Sequence, residues 1–259
     1  MRELSPGWAT DLSILEFSGS TLDEREGHLV VRTPSNPDYH WGNCLFVTDA
    51  VDDADRWMGT FHETFPHAGW IAIGLIAMPE DRGAWTDQGV ELELDEVLTT
   101  RTLPRQTPLH EDYTVRRIEG DDWEQVVVRE MLANKRRDEY EPESHERFVR
   151  ARTDSRRSIS DRGLAAFFGA FADDVLVADL GIVRCGTRAR YQTVGTDEDH
   201  RRRGLASHLL GVAARWAAER GCDEWVILTE TTNPAGRIYR SVGFQPDSGN
   251  AQAYRRPPR

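Results

Sequence analysis

Hydrophobic positions along this chain come in two rhythms, and the two alternate from end to end. Short runs, continuous or apolar at every second residue, are strand signals, while longer stretches with apolar residues three and four apart are helix signals. In the first half, residues 28–32 and 44–47 are expected strands, separated by the turn-rich Thr33-Pro34-Ser35-Asn36-Pro37-Asp38. Residues 53–65 place Trp57, Met58, Phe61 and Phe65 on one helical face. Residues 70–77 are an apolar run short enough for a buried strand. Residues 90–98 alternate Val90, Leu92 and Leu94 with Glu91, Glu93 and Asp95. The first few residues are expected to be poorly structured, and residues 101–110, with Pro104 and Pro108, to form a linker.

The second half repeats the alternation. Residues 113–118 are an expected strand. Asp121 is a candidate N-cap for a helix to about Lys135, and a second helix covers residues 143–162. Strands follow over residues 164–171, 175–183 and 188–195, with Asp173-Asp174 and Gly186 in the turns. Residues 204–220 carry Leu205, Leu209, Val212, Ala213 and Trp216 at helical spacing, and Gly221 stands where a C-terminal cap belongs. Residues 225–228 are a buried strand. Asn233-Pro234 opens a short helix, with Asn233 as N-cap and Pro234 at the first helical position. Phe244 and residues 251–255 finish the sheet. The fold class is therefore α/β, a mixed sheet with helices on both faces.

Composition divides the chain. Its 259 residues suit two domains. Residues 1–112 hold 7 basic and 21 acidic side chains, a net of −14, whereas residues 113–259 hold 25 and 23, a net of +2. Together with the linker, this contrast sets the expected domains at 1–108 and 109–259. A polyanionic ligand is expected in the second only. The acidic half would favour a cationic partner, or serve solubility alone. Three cysteines without metal-ligand spacing argue against a disulfide framework and a zinc site. With no signal segment or long apolar run, a cytoplasmic protein off the membrane is expected.

The candidate chemistry lies in Val194-Gly195-Thr196-Asp197-Glu198-Asp199-His200-Arg201-Arg202-Arg203-Gly204-Leu205-Ala206. A strand ends there, a short loop follows and a helix begins. Unpaired backbone N–H groups and the helix dipole at such a place can cradle a pyrophosphate. Gly204 allows close backbone approach, and Arg201 with its neighbours supplies opposing charge. A side chain at Gly204 is expected to obstruct the phosphate and leave the fold intact. The arginine run could also be a solvated surface cluster, but three acids precede it, which makes a poor nucleic-acid surface. No G-x-x-x-x-G-K-[ST] pattern is present, and Lys135 is the only lysine, which argues against a kinase-type loop.

The spacing Arg201-x-x-Gly204-x-Ala206, followed by Asn233, Tyr239 and Gly243-Phe244, resembles the acetyl-CoA signature of the GNAT superfamily. The resemblance covers residues 113–259 and implies an acetyl-CoA-dependent N-acetyltransferase with no metal. It implies that the backbone around Val194, Gly195 and Thr196 pairs with the pantetheine arm. The N–H groups of Arg202, Arg203, Gly204, Leu205 and Ala206 would hold the pyrophosphate, Asn233 would touch the pantetheine, and Tyr239 would protonate the departing thiolate. By residue chemistry alone Tyr239, between Ile238 and Val242, could equally pack against the sheet. The general base is open among Glu230, Glu198, Asp179, Tyr191 and a water relay, with Glu230 carried as the catalytic candidate. The acceptor would be a small-molecule amine or a peptide, transfer would be direct within a ternary complex, and a homodimer stays open. The alternative to an enzyme is a regulatory acyl-CoA-binding protein.

The first half echoes the second. Trp85 precedes Gly89 by four residues, as Tyr239 precedes Gly243. Where the phosphate loop would lie, Asp49-Ala50-Val51-Asp52-Asp53-Ala54-Asp55 has four carboxylates and no glycine, and should repel a pyrophosphate. A chance likeness between two short αβ segments would look the same; a true repeat would make the chain a tandem GNAT with a degenerate first domain.

Overall fold

The computed structural model describes residues 4–257. In chain order the elements are α1 (Pro6–Phe17), β1 (Thr21–Arg25), β2 (His28–Arg32), β3 (Cys44–Val47), α2 (Ala54–Thr64), β4 (Ile71–Leu75), α3 (Arg82–Thr86), β5 (Glu91–Thr100), β6 (Thr114–Arg117), α4 (Asp122–Arg137), α5 (Pro142–Asp161), β7 (Ala165–Ala172), β8 (Val175–Cys185), β9 (Arg188–Thr196), α6 (Leu205–Ala218), β10 (Glu224–Glu230), α7 (Ala235–Ser241) and β11 (Gln245–Arg255). They form two compact units, one of residues 1–97 with 248–259 and one of residues 98–247. The chain thus returns at its end to the first unit, whereas the expected division at 108/109 left all later residues in the second.

In the first unit the strand order is β1-β2-β3-β4-β11-β5. The β1, β2 and β3 strands are antiparallel, and β3 then runs parallel to β4 across the crossover helix α2. The C-terminal strand β11 pairs antiparallel with β4, from Ala251 opposite Leu75 to Arg255 opposite Ile71. Trp57, Met58 and Phe61 of α2 bury against Leu45, Val47, Ile73 and Leu75, so the apolar stripe read in the sequence is the core-facing stripe. Helix α1 was not expected. Its signal is nonetheless present: Ser5 caps it by accepting the Trp8 N–H at 3.1 Å, Pro6 begins it, and Trp8, Leu12 and Leu15 pack together with Phe46. Ile14 and Phe17 on other faces blur that stripe. Residues 1–3, the part of the expected disordered start before this helix, lie outside the described range.

In the second unit the order is β10-β9-β8-β7-β6. Strands β6 to β9 are antiparallel, and β9 is parallel to β10 across α6. Asp173 and Asp174 both take positive φ in the β7–β8 turn, as does Gly186 in the β8–β9 turn. Leu205, Leu209, Leu210, Ala213 and Ala217 of α6 bury against Ala178, Leu180, Ile182, Ala189 and Tyr191 of the sheet. Asp121 is the N-cap of α4, but its side chain makes no capping bond.

Both halves of the chain therefore share one order of elements: antiparallel strands, a strand–helix–strand crossover, a short helix and a further strand, the last of which (β11) returns to the first unit. Trp85 and Tyr239 sit in the two short helices, both buried, and Gly89 and Gly243 that follow both take positive φ, +76° and +119°. The echo in the sequence is thus an echo in structure.

Residues 101–110, read as a linker, hold no helix or strand but are fastened to the second unit. The Arg105 N–H donates to Val242 O at 2.9 Å, and Gln106 lies against Gly211 in mid-α6. A β-carbon on Gly211 would overlap the Gln106 Cβ and come within 2.7 Å of its Cα. Gly211→Ala would gain about 1 kcal/mol of helix propensity. Overpacking against backbone costs about 1–3 kcal/mol. The substitution is therefore expected to lower stability by denaturant unfolding, where propensity alone requires it to rise.

Candidate functional site

The β9–β10 pairing is short. Arg188, Ala189 and Arg190 face Glu224, Trp225 and Val226, and there it ends. Residues 191–196 and 227–230 run on as strands without pairing to each other, so the two strands part like a V. A strand edge that leaves its partner exposes backbone N–H and C=O groups, which need a partner from elsewhere. On its other side β9 stays bonded to β8, but with a bulge: Gly181 faces Gln192 and Asp179 faces Gly195, which inserts one residue in β9. Thr193 takes φ +47° in that bulge, and the Arg156 guanidinium of α5 donates to its Oγ1 at 2.7 Å. Arg156 also pairs with Glu130 of α4 at 3.1 Å, and Glu130 with Arg152.

Beyond β9 the loop is held from outside. The Asp197 N–H donates to Val177 O at 2.9 Å, and its carboxylate takes the Nε and Nη2 of Arg129 at 3.0 and 2.9 Å. Arg129 also pairs with Asp179. His200 Nδ1 and the Tyr113 hydroxyl are hydrogen-bonded at 2.9 Å, and the Thr107 hydroxyl donates to Gly204 O at 3.1 Å. Gly204 is the N-cap of α6 at φ +77° and provides no side-chain cap. The N–H groups that open α6, those of Leu205, Ala206 and Ser207, have no carbonyl one turn earlier in the helix and point out of its end. Arg201 donates to Thr196 O at 3.3 Å and pairs with Glu198 at 3.6 Å, and Arg203 lies 4.0 Å from Asp112. Arg202 takes φ +62°.

The remaining candidates flank the V. Glu230 ends β10, exposed, and among the described residues no hydrogen-bond or ion-pair partner holds its carboxylate. Its carbonyl accepts the Asn233 N–H at 3.0 Å, and Asn233 Oδ1 accepts the Ala235 N–H at 3.0 Å. Pro234, not Asn233, is the N-cap residue of α7, which begins one residue later than expected; Asn233 Oδ1 meets the first helical N–H from just outside the helix, and its amide nitrogen is left to donate elsewhere. Tyr239, on α7, is 5% exposed. Burial pushes its hydroxyl up to about 12, against a smaller opposing pull from the Arg190 guanidinium. Among the described residues that hydroxyl has no hydrogen-bond partner. Of the other candidate bases, Tyr191 is fully buried, donates to Leu210 O at 2.7 Å and is pushed well above the usual tyrosine range by burial, so it cannot serve. Asp179 is engaged by Arg129 and Glu198 by Arg201.

The corresponding place in the first unit is filled by the chain itself. Asp53 accepts the Arg56 N–H at 3.0 Å and so caps α2 with a carboxylate. Asp52 accepts the Glu80 N–H at 2.8 Å. The indole N–H groups of Trp57 and Trp85 donate to Ala50 O and Val51 O, both at 2.8 Å. The sequence missed Arg129, Arg156, Tyr113 and Thr107. None carries a local motif, because each acts on a loop distant in the chain.

Residues 127–244 match the model of the acetyltransferase (GNAT) family. No curated protein sequence matches the chain. Among solved structures, it is similar to a functionally unknown conserved protein from Staphylococcus epidermidis, at 11% identity and a TM-score of 0.68, over 93% of this chain and 95% of that one. It is similar to a GCN5-related N-acetyltransferase from Kribbella flavida, at 16% identity and a TM-score of 0.66, over 96% and 94%. A tandem GNAT protein from the clavulanic acid biosynthesis pathway is similar over 100% of this chain and 90% of its own, at 15% identity and a TM-score of 0.56. At such identities the likeness is one of fold, and it extends to both halves. Among the described residues no helix is long and apolar enough to cross a membrane, and no group of three or more His, Cys, Asp or Glu is placed to hold a metal ion.

The positive φ of Gly204 changes how it can be probed. Its added β-carbon would meet only Thr107 Oγ1, at 3.5 Å, and Pro108 O, at 4.0 Å, so the left-handed backbone, not crowding by the chain, demands glycine. A bulky side chain there would strain the fold, contrary to the expectation from sequence. Gly204→Ala is expected to cost about 1–2 kcal/mol in denaturant unfolding, and Gly204→Asn clearly less. Equal costs would show that the turn relaxes out of the left-handed region.

Proposed function

We propose, from the match of residues 127–244 to the model of the acetyltransferase (GNAT) family, that this chain transfers an acetyl group from acetyl-CoA to the amine of a small molecule or peptide, by direct attack in a ternary complex. The observation that carries this reading is the V between β9 and β10 leading to the uncapped start of α6. An extended amide-bearing arm can pair with the open β9 edge at Val194, Gly195 and Thr196. A pyrophosphate at its far end then meets the N–H groups of Arg202, Arg203, Gly204, Leu205 and Ala206, with the α6 dipole and Arg201 in support.

In the reaction the amine nitrogen forms a bond to the thioester carbonyl carbon and the carbon–sulfur bond breaks. Two protons matter. The amine must lose one, and Glu230, unpaired at the strand end, is the candidate base, directly or through water. The departing sulfur needs a donor, and Tyr239 is the candidate. A hydroxyl at about 12 is fully protonated at working pH, so the donor is always charged with its proton. A free thiol ionises near 8.5, so complete transfer from the phenol to sulfur is uphill by about 3.5 pK units, roughly 5 kcal/mol. Tyr239 therefore acts chiefly as a hydrogen-bond donor to the developing thiolate, and solvent completes the protonation. On this reading a backbone N–H of the splayed β9 polarises the carbonyl.

Tyr239→Phe is expected to lower kcat by roughly ten- to a thousandfold, with the KM for acetyl-CoA nearly unchanged, since only the hydroxyl is lost. Because that hydroxyl stays protonated until about pH 12, wild-type kcat should show no alkaline fall assignable to it below about pH 11. Wild-type turnover by the variant, measured where chemistry limits the rate, would return Tyr239 to a packing role. Release of CoA thiol with no amine of a broad panel would favour the regulatory, non-catalytic alternative.

Only one unit should bind the coenzyme. The Asp53 carboxylate already caps α2, and its neighbours oppose a polyanion. Calorimetric titration of the full chain with CoA is expected to give one site per chain. Two sites would show that the first unit binds as well.

A further inference from the structure

Strand β9 ends, and its loop begins, directly over a partly buried cluster of three charges. Arg129 on α4 reaches Asp179 on β8 and Asp197 at the head of the loop. The side chains of Arg129 and Asp179 are 14% and 12% exposed, that of Asp197 38%. Asp179 faces Gly195 across the β8–β9 ladder. A β-carbon on Gly195 would lie 3.3 Å from Asp179 Oδ1 and 3.7 Å from Arg129 Nη2. The guanidinium therefore passes beneath the backbone that, on the acetyl-CoA reading, pairs with the pantetheine and leads into the pyrophosphate turn.

Two carboxylates under a site for a polyanion are a liability. Charges in a partly dry environment interact over several ångströms with little screening. Surface arginines do not offset these two: Arg201 is engaged with Glu198, and Arg203 lies near Asp112. Among the described residues Arg129 is the one cation in contact with Asp179 and Asp197, and it offsets them from a helix remote in sequence. The same bonds fix where Asp197, and so the loop, begins. The geometry points to Arg129 as a positioning residue of the coenzyme site: it masks Asp179 and Asp197 from the coenzyme phosphates and seats the end of β9. This inference rests on the acetyl-CoA reading above.

The test uses the full chain and CoA itself. Arg129→Gln is expected to weaken CoA binding, by calorimetry, about tenfold, or roughly 1.4 kcal/mol. It should raise the KM for acetyl-CoA in step while leaving kcat at saturation within about twofold. Arg129→Gln combined with Asp179→Asn returns the cluster to its original net charge, and affinity should recover to within about threefold of wild type. A merely structural role would show as a lowered unfolding midpoint and a lowered kcat, whereas masking shows as weaker CoA affinity and a raised KM with both of those kept. Arg129→Lys, which keeps the charge, should lose little. Unchanged affinity in a folded Arg129→Gln variant, or a loss that Asp179→Asn does not relieve, overturns the inference. Should Arg129→Gln fail to fold, the charge-restored double variant carries the decision: near wild-type CoA affinity supports masking, and a loss beyond tenfold refutes it. If the wild-type protein does not bind CoA, the acetyl-CoA reading itself falls, which is a separate and recognisable outcome.

Discussion

Backbone polar groups must be satisfied, and the second unit is arranged around a place where the chain does not satisfy them itself. Where β9 leaves β10 after Arg190, and where α6 begins at Gly204 without a side-chain cap, N–H and C=O groups face outward. Left to relax, such a region would close by extending the ladder or by capping the helix. Long-range contacts prevent this. The bulge at Thr193 is met by Arg156, the loop head by Arg129, its middle by Tyr113 and its end by Thr107. A ligand with amides along one part and phosphates along another is the natural complement of that open edge.

The first unit shows the same crossover with the opposite solution. Asp53 caps α2, Trp57 and Trp85 take the loop carbonyls, and Asp52 takes the Glu80 N–H. Every one of these bonds is made by the chain to itself. Trp85 stands where Tyr239 stands in the other unit, filling core volume with an indole N–H directed inward. The two units thus separate a shared architecture from a site: fold alone leaves function undecided, and the side chains at the helix start decide it.

Much of both units was legible because the signals are local. The stripes of α2 and α6, the alternation in β5 and the Asp173-Asp174 and Gly186 turns each depend on residues within a few positions of one another. The run from Val194 to Ala206 announced a strand, a loop and a helix start, but the left-handed backbone that requires glycine at 204 was not foreseen. Helix α1 shows the limit of local reading: Trp8, Leu12 and Leu15 are spaced for a helix, but added apolar residues on other faces obscured the stripe.

The sequence by itself determined most of the elements, though not α1, β1 or α3, and the acidic replacement in the first loop, while the roles expected of Asn233 and Tyr239 came from the resemblance to the GNAT signature. The elements and the acidic loop follow from propensity, turn chemistry and charge, which act over a turn of helix or a pair of strands. The tertiary structure alone decided that residues 248–255 return to the first unit, that β9 and β10 part after three residue pairs, and that Asp179 and Tyr191 are engaged while Glu230 is not. It also brought Arg129 and Thr107 to the loop they hold. Such outcomes depend on strand register and on contacts between residues tens to more than a hundred positions apart. No local spacing encodes them, because the energy that selects them is released only when the sheet has formed and its faces have packed.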